Sequence, residues 1–177
     1  MDPETLSPSV TNVTRMPMFH GPFTMTISGS TMSGKSVLCR KIIQHVDDLV
    51  TPKVDRIIWC YGVETAALKE LAQNPRVKLI EGLPDFEELK YFDGHTLVVL
   101  DDLMHEVAAS KEASALFTRY AHHYNCSVIN IVQNLFFSKD RTIYVKCQLC
   151  PDSCFLDTPN ISSKLMKTCV PVVIMVI

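Results

Sequence analysis

Eight consecutive residues restrict this chain more than any other feature: Gly29-Ser30-Thr31-Met32-Ser33-Gly34-Lys35-Ser36. They satisfy G-x-x-x-x-G-K-[ST] at every fixed position. Phe23 to Ser28 (FTMTIS) alternates in the manner of a strand and runs directly into them; Leu38, Ile42, Val46 and Leu49 then follow at helical spacing. A loop so placed lets its backbone N–H groups converge as an anion-binding nest, with the positive end of the helix aimed at the same anion. Lys35 supplies a point charge for β and γ phosphates, and the Ser36 hydroxyl is a ligand for Mg²⁺. The loop is therefore expected to hold ATP with Mg²⁺. The bland alternative is a glycine-rich turn that binds nothing.

The remaining chain alternates between two periodicities. Arg56 to Cys60 (RIIWC) reads as a short buried strand, Glu64–Gln73 as a polar helix, Val77–Ile80 as a strand and Asp85–Tyr91 as a short helix. Thr96 to Leu100 (TLVVL) is a continuous apolar run of the kind found in strands covered on both faces. Val107, Ala113, Leu116, Phe117, Tyr120 and Tyr124 then mark one side of a helix, and Ser127 to Val132 (SVINIV) is the next strand. Such alternation predicts an α/β fold, a mainly parallel sheet sandwiched by helices. Residues 1–22 carry Pro3, Pro8, Pro17 and Pro22 among Ser, Thr and Asn, and are expected to form a flexible arm. The core is placed at 23–145, with a cysteine-containing tail at 146–177 whose pattern fits neither periodicity.

A nucleoside triphosphate needs a second carboxylate to hold its metal. Asp101, at the end of the TLVVL run, is the expected Walker B aspartate, acting through a magnesium-bound water. Asp102 is placed to orient or deprotonate an attacking water. Both could instead be helix N-caps. Gln133 and Asn134 end the following strand, where a polar side chain can reach a γ phosphate or the water; ordinary turn chemistry is the alternative.

Composition narrows the class. The chain is 47% hydrophobic and 20% charged over 177 residues, enough for one domain with a real core and unlike a disordered segment. A net charge of −2 gives no global signature of nucleic-acid binding, though basic side chains converging on the pore of a ring remain compatible with it. No apolar run is long enough to span a membrane, and no secretory signal opens the chain. Seven cysteines, three within core-like segments and four in the tail, point to a reducing, intracellular compartment.

Taken in order, ISGSTMSGKS, RIIWCYG, LVVLDDL, INIVQNLF and RTI resemble the HerA/FtsK-type DNA-packaging ATPases of double-stranded DNA viruses and large self-synthesising transposons. The resemblance covers about residues 23–145. It implies a sheet in which the Gln133 strand lies between the P-loop strand and the Walker B strand, with Gln133 beside the γ phosphate as a sensor. It also implies a homo-oligomeric ring that threads double-stranded DNA on ATP hydrolysis, with a capsid or terminase-like partner. Two departures stand out: Asp102 occupies a position where the family more often has Glu, and residues 146–177 do not match, as in a truncated, spliced or frameshifted product. Arg141, within RTI, is a candidate arginine finger toward a neighbour's γ phosphate, and Arg119 competes for that role.

In the tail, Cys147, Cys150, Cys154 and Cys169 could bind Zn²⁺, but lack a second C-x2-C, so unpaired cysteines are the simpler expectation. His122-His123 reads as a helix end. Lys139, Arg141, Lys146, Lys164 and Lys167 give the C-terminal third some basic character, most simply a solvated surface. Two alternatives to a motor subunit follow: a nucleotide-binding chain without motor activity, and a nucleoside kinase resembling type II thymidine kinases.

Overall fold

The computed structural model describes residues 19–134 and 173–176. Its frame is one six-stranded sheet. The strands are β2 (Thr24–Ser28), β4 (Arg56–Tyr61), β5 (Val77–Glu81), β6 (Thr96–Asp101), β7 (Cys126–Val132) and β8 (Val173–Val176), after a short β1 (Phe19–His20) and β3 (Val50–Thr51) that pair with each other. In the sheet they run β5-β4-β6-β7-β2-β8. Every pairing is parallel except β8 on β2. The fold is thus α/β with a mainly parallel sheet, and β7, which leads to Gln133, lies between β6 and the loop-bearing β2, as the resemblance implied.

Strand parity divides the core. Side chains alternate across a sheet, so Met25, Ile27, Trp59, Leu97, Val99, Ile129 and Ile131 share one face. There they join Cys39, Ile42 and Ile43 of α1 (Lys35–Gln44) in one buried cluster. Ile58, Cys60, Val98, Leu100 and Val128 form the other face with Val107, Ala113, Leu116 and Ala121. Each large side chain removed from water in this way contributes ~1.5–3 kcal/mol. The same parity carries Asp101, two residues beyond Val99, to the α1 side.

Several boundaries differ from expectation. The helix projected through Leu49 stops at Gln44, and a separate turn, α2 (Val46–Leu49), follows. α3 (Ala66–Leu71) and α4 (Phe86–Lys90) are shorter than their polar segments suggested. The helix after β6 is broken into α5 (Met104–Ala109) and α6 (Lys111–Ala115), followed by a π-helical turn (Leu116–Tyr120) and α7 (Ala121–His123). Ser110 causes the first break: its backbone is extended, and its hydroxyl caps α6 by accepting from Ala113 N at 3.1 Å. His122 and His123 end this helical stretch, as expected, and no cluster of three or more His, Cys, Asp and Glu that could hold a metal occurs among the described residues.

Residues 19–22, assigned to the arm by their prolines, belong instead to the packed domain. Phe19 is buried and its ring lies 5.3 Å from that of Phe23. A buried histidine anchors this entry. His95 Nδ1 bonds Pro52 O at 3.0 Å, which only accepts, so Nδ1 carries the proton. Nε2 then accepts from the Ser127 hydroxyl at 2.8 Å, and Ser127 Oγ accepts from Phe23 N at 3.2 Å. At the C-terminal end, the apolar VIMV segment pairs along β2 as an edge strand, Ile174 opposite Ile27.

Candidate functional site

The site forms at the carboxyl ends of β2, β6 and β7. In a parallel sheet with β7 in the middle, register decides what meets: Ser28 lies opposite Val132, and Asp101 opposite Ile131. The loop after β2, the Asp101-Asp102 pair and Gln133 therefore leave the sheet side by side.

Gly34 closes the loop at φ 83°, in the left-handed region that favours glycine, and directly precedes α1. Met32, also left-handed at φ 62°, is 96% exposed at the tip. Lys35 folds back under the loop, its Nζ donating to Gly29 O and Ser30 O, each at 2.8 Å. Burial pulls the ammonium below its ordinary pKa, against the opposing pull of the Asp102 and Asp101 charges. Ser33 Oγ is buried without a hydrogen-bond partner.

Asp101 meets the first turn of α1: Ser36 Oγ donates to Asp101 Oδ1 at 3.2 Å. Burial raises this carboxyl above its usual range, and the neighbouring Asp102 charge adds to the effect. The Ser36 hydroxyl, the Lys35 ammonium and the Trp59 indole pull the other way. Trp59 Nε1 is itself buried with no partner at hydrogen-bond distance, so its pull is exerted from longer range. This indole is a contributor that the sequence reading missed; its signal was strand parity, since Trp59 and Asp101 fall on the same face.

Asp102 turns away from the strand at φ 57°, a left-handed geometry that Asp tolerates better than most residues. Its N–H bonds Ile131 O at 3.2 Å, and its Oδ2 accepts from Gln133 Nε2 at 2.8 Å. Gln133 Oε1 in turn accepts from Thr31 Oγ1 at 3.1 Å. All eight loop residues, Asp101, Asp102 and Gln133 are thus gathered at one edge. Arg119 is not. It lies on the π-helical turn, in the layer against the opposite face, with its guanidinium 5.0 Å over the Tyr120 ring. Arg141, the RTI segment and Cys147, Cys150, Cys154 and Cys169 lie outside the described residues.

The raised pKa of Asp101 has a consequence for stability. The folded state holds this proton more tightly than the unfolded chain, so the associated stability is full in acid and is lost as pH rises through the folded value. Asp101→Asn, which keeps an acceptor for Ser36, is expected to raise the thermal midpoint of the metal-free protein at neutral pH. The gain should vanish in acid, where Asp101 is already neutral; melting curves at both pH values check this.

The residues present fit a magnesium nucleotide. The loop offers a lysine ammonium held by carbonyls that an anion can replace, and an orphaned serine hydroxyl. Ser36 and Asp101 are the oxygen donors that Mg²⁺ prefers.

By fold the chain is an α/β protein with a mainly parallel sheet flanked by helices. No protein-family model and no curated protein matches it. A solved structure of Thermomonospora curvata EccC (ATPases 2 and 3), in complex with a signal sequence peptide, is similar at a TM-score of 0.42 and 18% identity, over 64% of this chain. The match spans 25% of the EccC chain. Among the described residues, no helix is long and apolar enough to cross a membrane.

Proposed function

We propose that this chain binds ATP with Mg²⁺ and hydrolyses it, as a subunit of a ring that moves double-stranded DNA. The observation that carries the ATPase reading is the junction of Ser36 with Asp101 at 3.2 Å, beside an Asp102 held by Gln133 at 2.8 Å. One carboxylate is tied to the serine proposed to ligate the metal, and the next, held at one oxygen by Gln133, is placed to face a reacting water. In this reading the main chain of residues 29–36 cradles the phosphates, and Lys35 exchanges its loop carbonyls for phosphate oxygens. Ser36 and Asp101 would hold Mg²⁺, which would supply neutralising charge at the phosphates. Asp102 accepts the proton of the attacking water, and Gln133 stands beside it at the γ-phosphate position. The DNA substrate, the ring and a capsid or terminase-like partner rest on the motif series ISGSTMSGKS to RTI, with Arg141 as the residue offered to a neighbouring site.

The test is ATP hydrolysis with and without double-stranded DNA. Lys35→Ala removes the point charge and is expected to weaken nucleotide binding about 10- to 100-fold, the scale of a charge-assisted hydrogen bond lost in a partly buried site. Turnover stimulated by DNA and lost with Lys35 supports the motor. Binding that needs Lys35, with no turnover under any condition, would leave a nucleotide-binding protein and sink the motor reading.

A further inference from the structure

We propose that the Thr31 hydroxyl is a positioning group for the reaction: through the Gln133 amide it fixes the direction of the Asp102 carboxylate. The proposal rests on the ATPase reading of the site and adds a side-chain role to a residue otherwise needed only for its backbone.

Three segments far apart in the chain supply the links. Thr31 comes from the loop after β2, Gln133 from the end of β7 and Asp102 from the end of β6. The contacts are Thr31 Oγ1 to Gln133 Oε1 at 3.1 Å and Gln133 Nε2 to Asp102 Oδ2 at 2.8 Å. Donor chemistry gives this chain one polarity. An ionised carboxylate only accepts, so the amide must turn its NH₂ toward Asp102. Its carbonyl then faces Thr31, and the Thr31 hydroxyl must donate. Replace that hydroxyl by a methyl group and the amide loses the partner that sets its rotation.

Magnitude separates positioning from scaffolding. All three side chains belong to exposed residues, where a hydrogen bond nets about 1 kcal/mol or less. The fold, held by two buried clusters, barely depends on them. Asp102, by contrast, has much to gain from a tether, because it leaves the strand on left-handed backbone and its carboxylate is exposed. Orientation is where a small free energy matters most, since a reacting group displaced by about 1 Å can lose ~100-fold in rate. The tether also makes that orientation depend on the loop, because Lys35 grips Ser30 O, next to Thr31. An anion that draws Lys35 away therefore acts on the residue that steers Asp102.

The experiment compares the full chain with Thr31→Val and Thr31→Ser. Steady-state ATP turnover in Mg²⁺ is measured alongside the side-chain amide resonances of Gln133 in the nucleotide-free, ¹⁵N-labelled protein. Thr31→Val is expected to lower kcat about fivefold, one exposed hydrogen bond's worth, with KM for ATP within about twofold. Thr31→Ser should restore it. The Gln133 amide pair should shift in Thr31→Val and return to place in Thr31→Ser. A raised KM with unchanged kcat, or an amide pair indifferent to Thr31→Val, overturns the proposal. Absence of turnover in the unaltered protein defeats the ATPase reading instead, and the amide resonances, recorded without nucleotide, still show whether the tether exists.

Discussion

Asp102→Asn is expected to abolish most ATP turnover, by about 100- to 10,000-fold, while nucleotide still binds and the protein still melts near its original temperature. The substitution removes the group proposed to take the proton and little else. Asn is, with Asp, among the residues that adopt left-handed backbone at least cost, so φ 57° at position 102 stays accessible. An Asn carbonyl can still accept from Gln133 Nε2. Asp102→Ala is a poorer probe, since alanine in that conformation adds roughly 1–2 kcal/mol of backbone strain and blurs chemistry with stability. Single-turnover hydrolysis, paired with direct measurement of nucleotide affinity, separates the two effects. Turnover that survives in Asp102→Asn would move the proton acceptor elsewhere. An affinity that collapses with it would assign the carboxylate to ligand binding rather than to the chemical step.

The parts of this protein visible in its sequence are those set by local pattern. TLVVL and SVINIV are apolar runs bounded by polar ends, and β6 and β7 occupy them to within a residue. The order β6-β7-β2 came from the motif series, since no local signal specifies which strands are neighbours. What escaped has identifiable causes. Phe19–His20 is a two-residue strand between Pro17 and Pro22, too short for any period, and it exists because Val50–Thr51 lies alongside. The segment VIMV is uniformly apolar, so its pattern could not say whether it pairs; its partner β2 lies nearly 150 residues earlier, a separation no window spans. In the helical stretch after β6, apolar spacing was legible, but Ser110 and the π-helical turn divide it into short pieces that still point the same side inward. At the site, the loop and Asp101 were legible because their chemistry is written in contiguous residues. The Thr31–Gln133 bond was not: it joins residues 102 positions apart, and neither residue carries a sign of the other.

Trp59 is where the fold and the site share a residue, and two substitutions there should behave very differently. Its side chain is 1% exposed within the α1-side core. Trp59→Ala would leave a large void between β4, β6 and the helices, and is expected to cost about 3–5 kcal/mol. That is a large fraction of the ~5–15 kcal/mol that holds an ordinary domain together. Trp59→Phe keeps an aromatic body and removes an indole N–H that is buried without a hydrogen-bond partner. The relief of that unsatisfied donor, worth about 1–3 kcal/mol, offsets the lost volume, so Phe should cost roughly 1 kcal/mol or less. Urea unfolding followed by circular dichroism suits both variants, since each removes the chain's single tryptophan. Equal destabilisation by Ala and Phe would mean that the indole N–H has a partner, such as a buried water, and that its orphaned state is not what makes Phe tolerable.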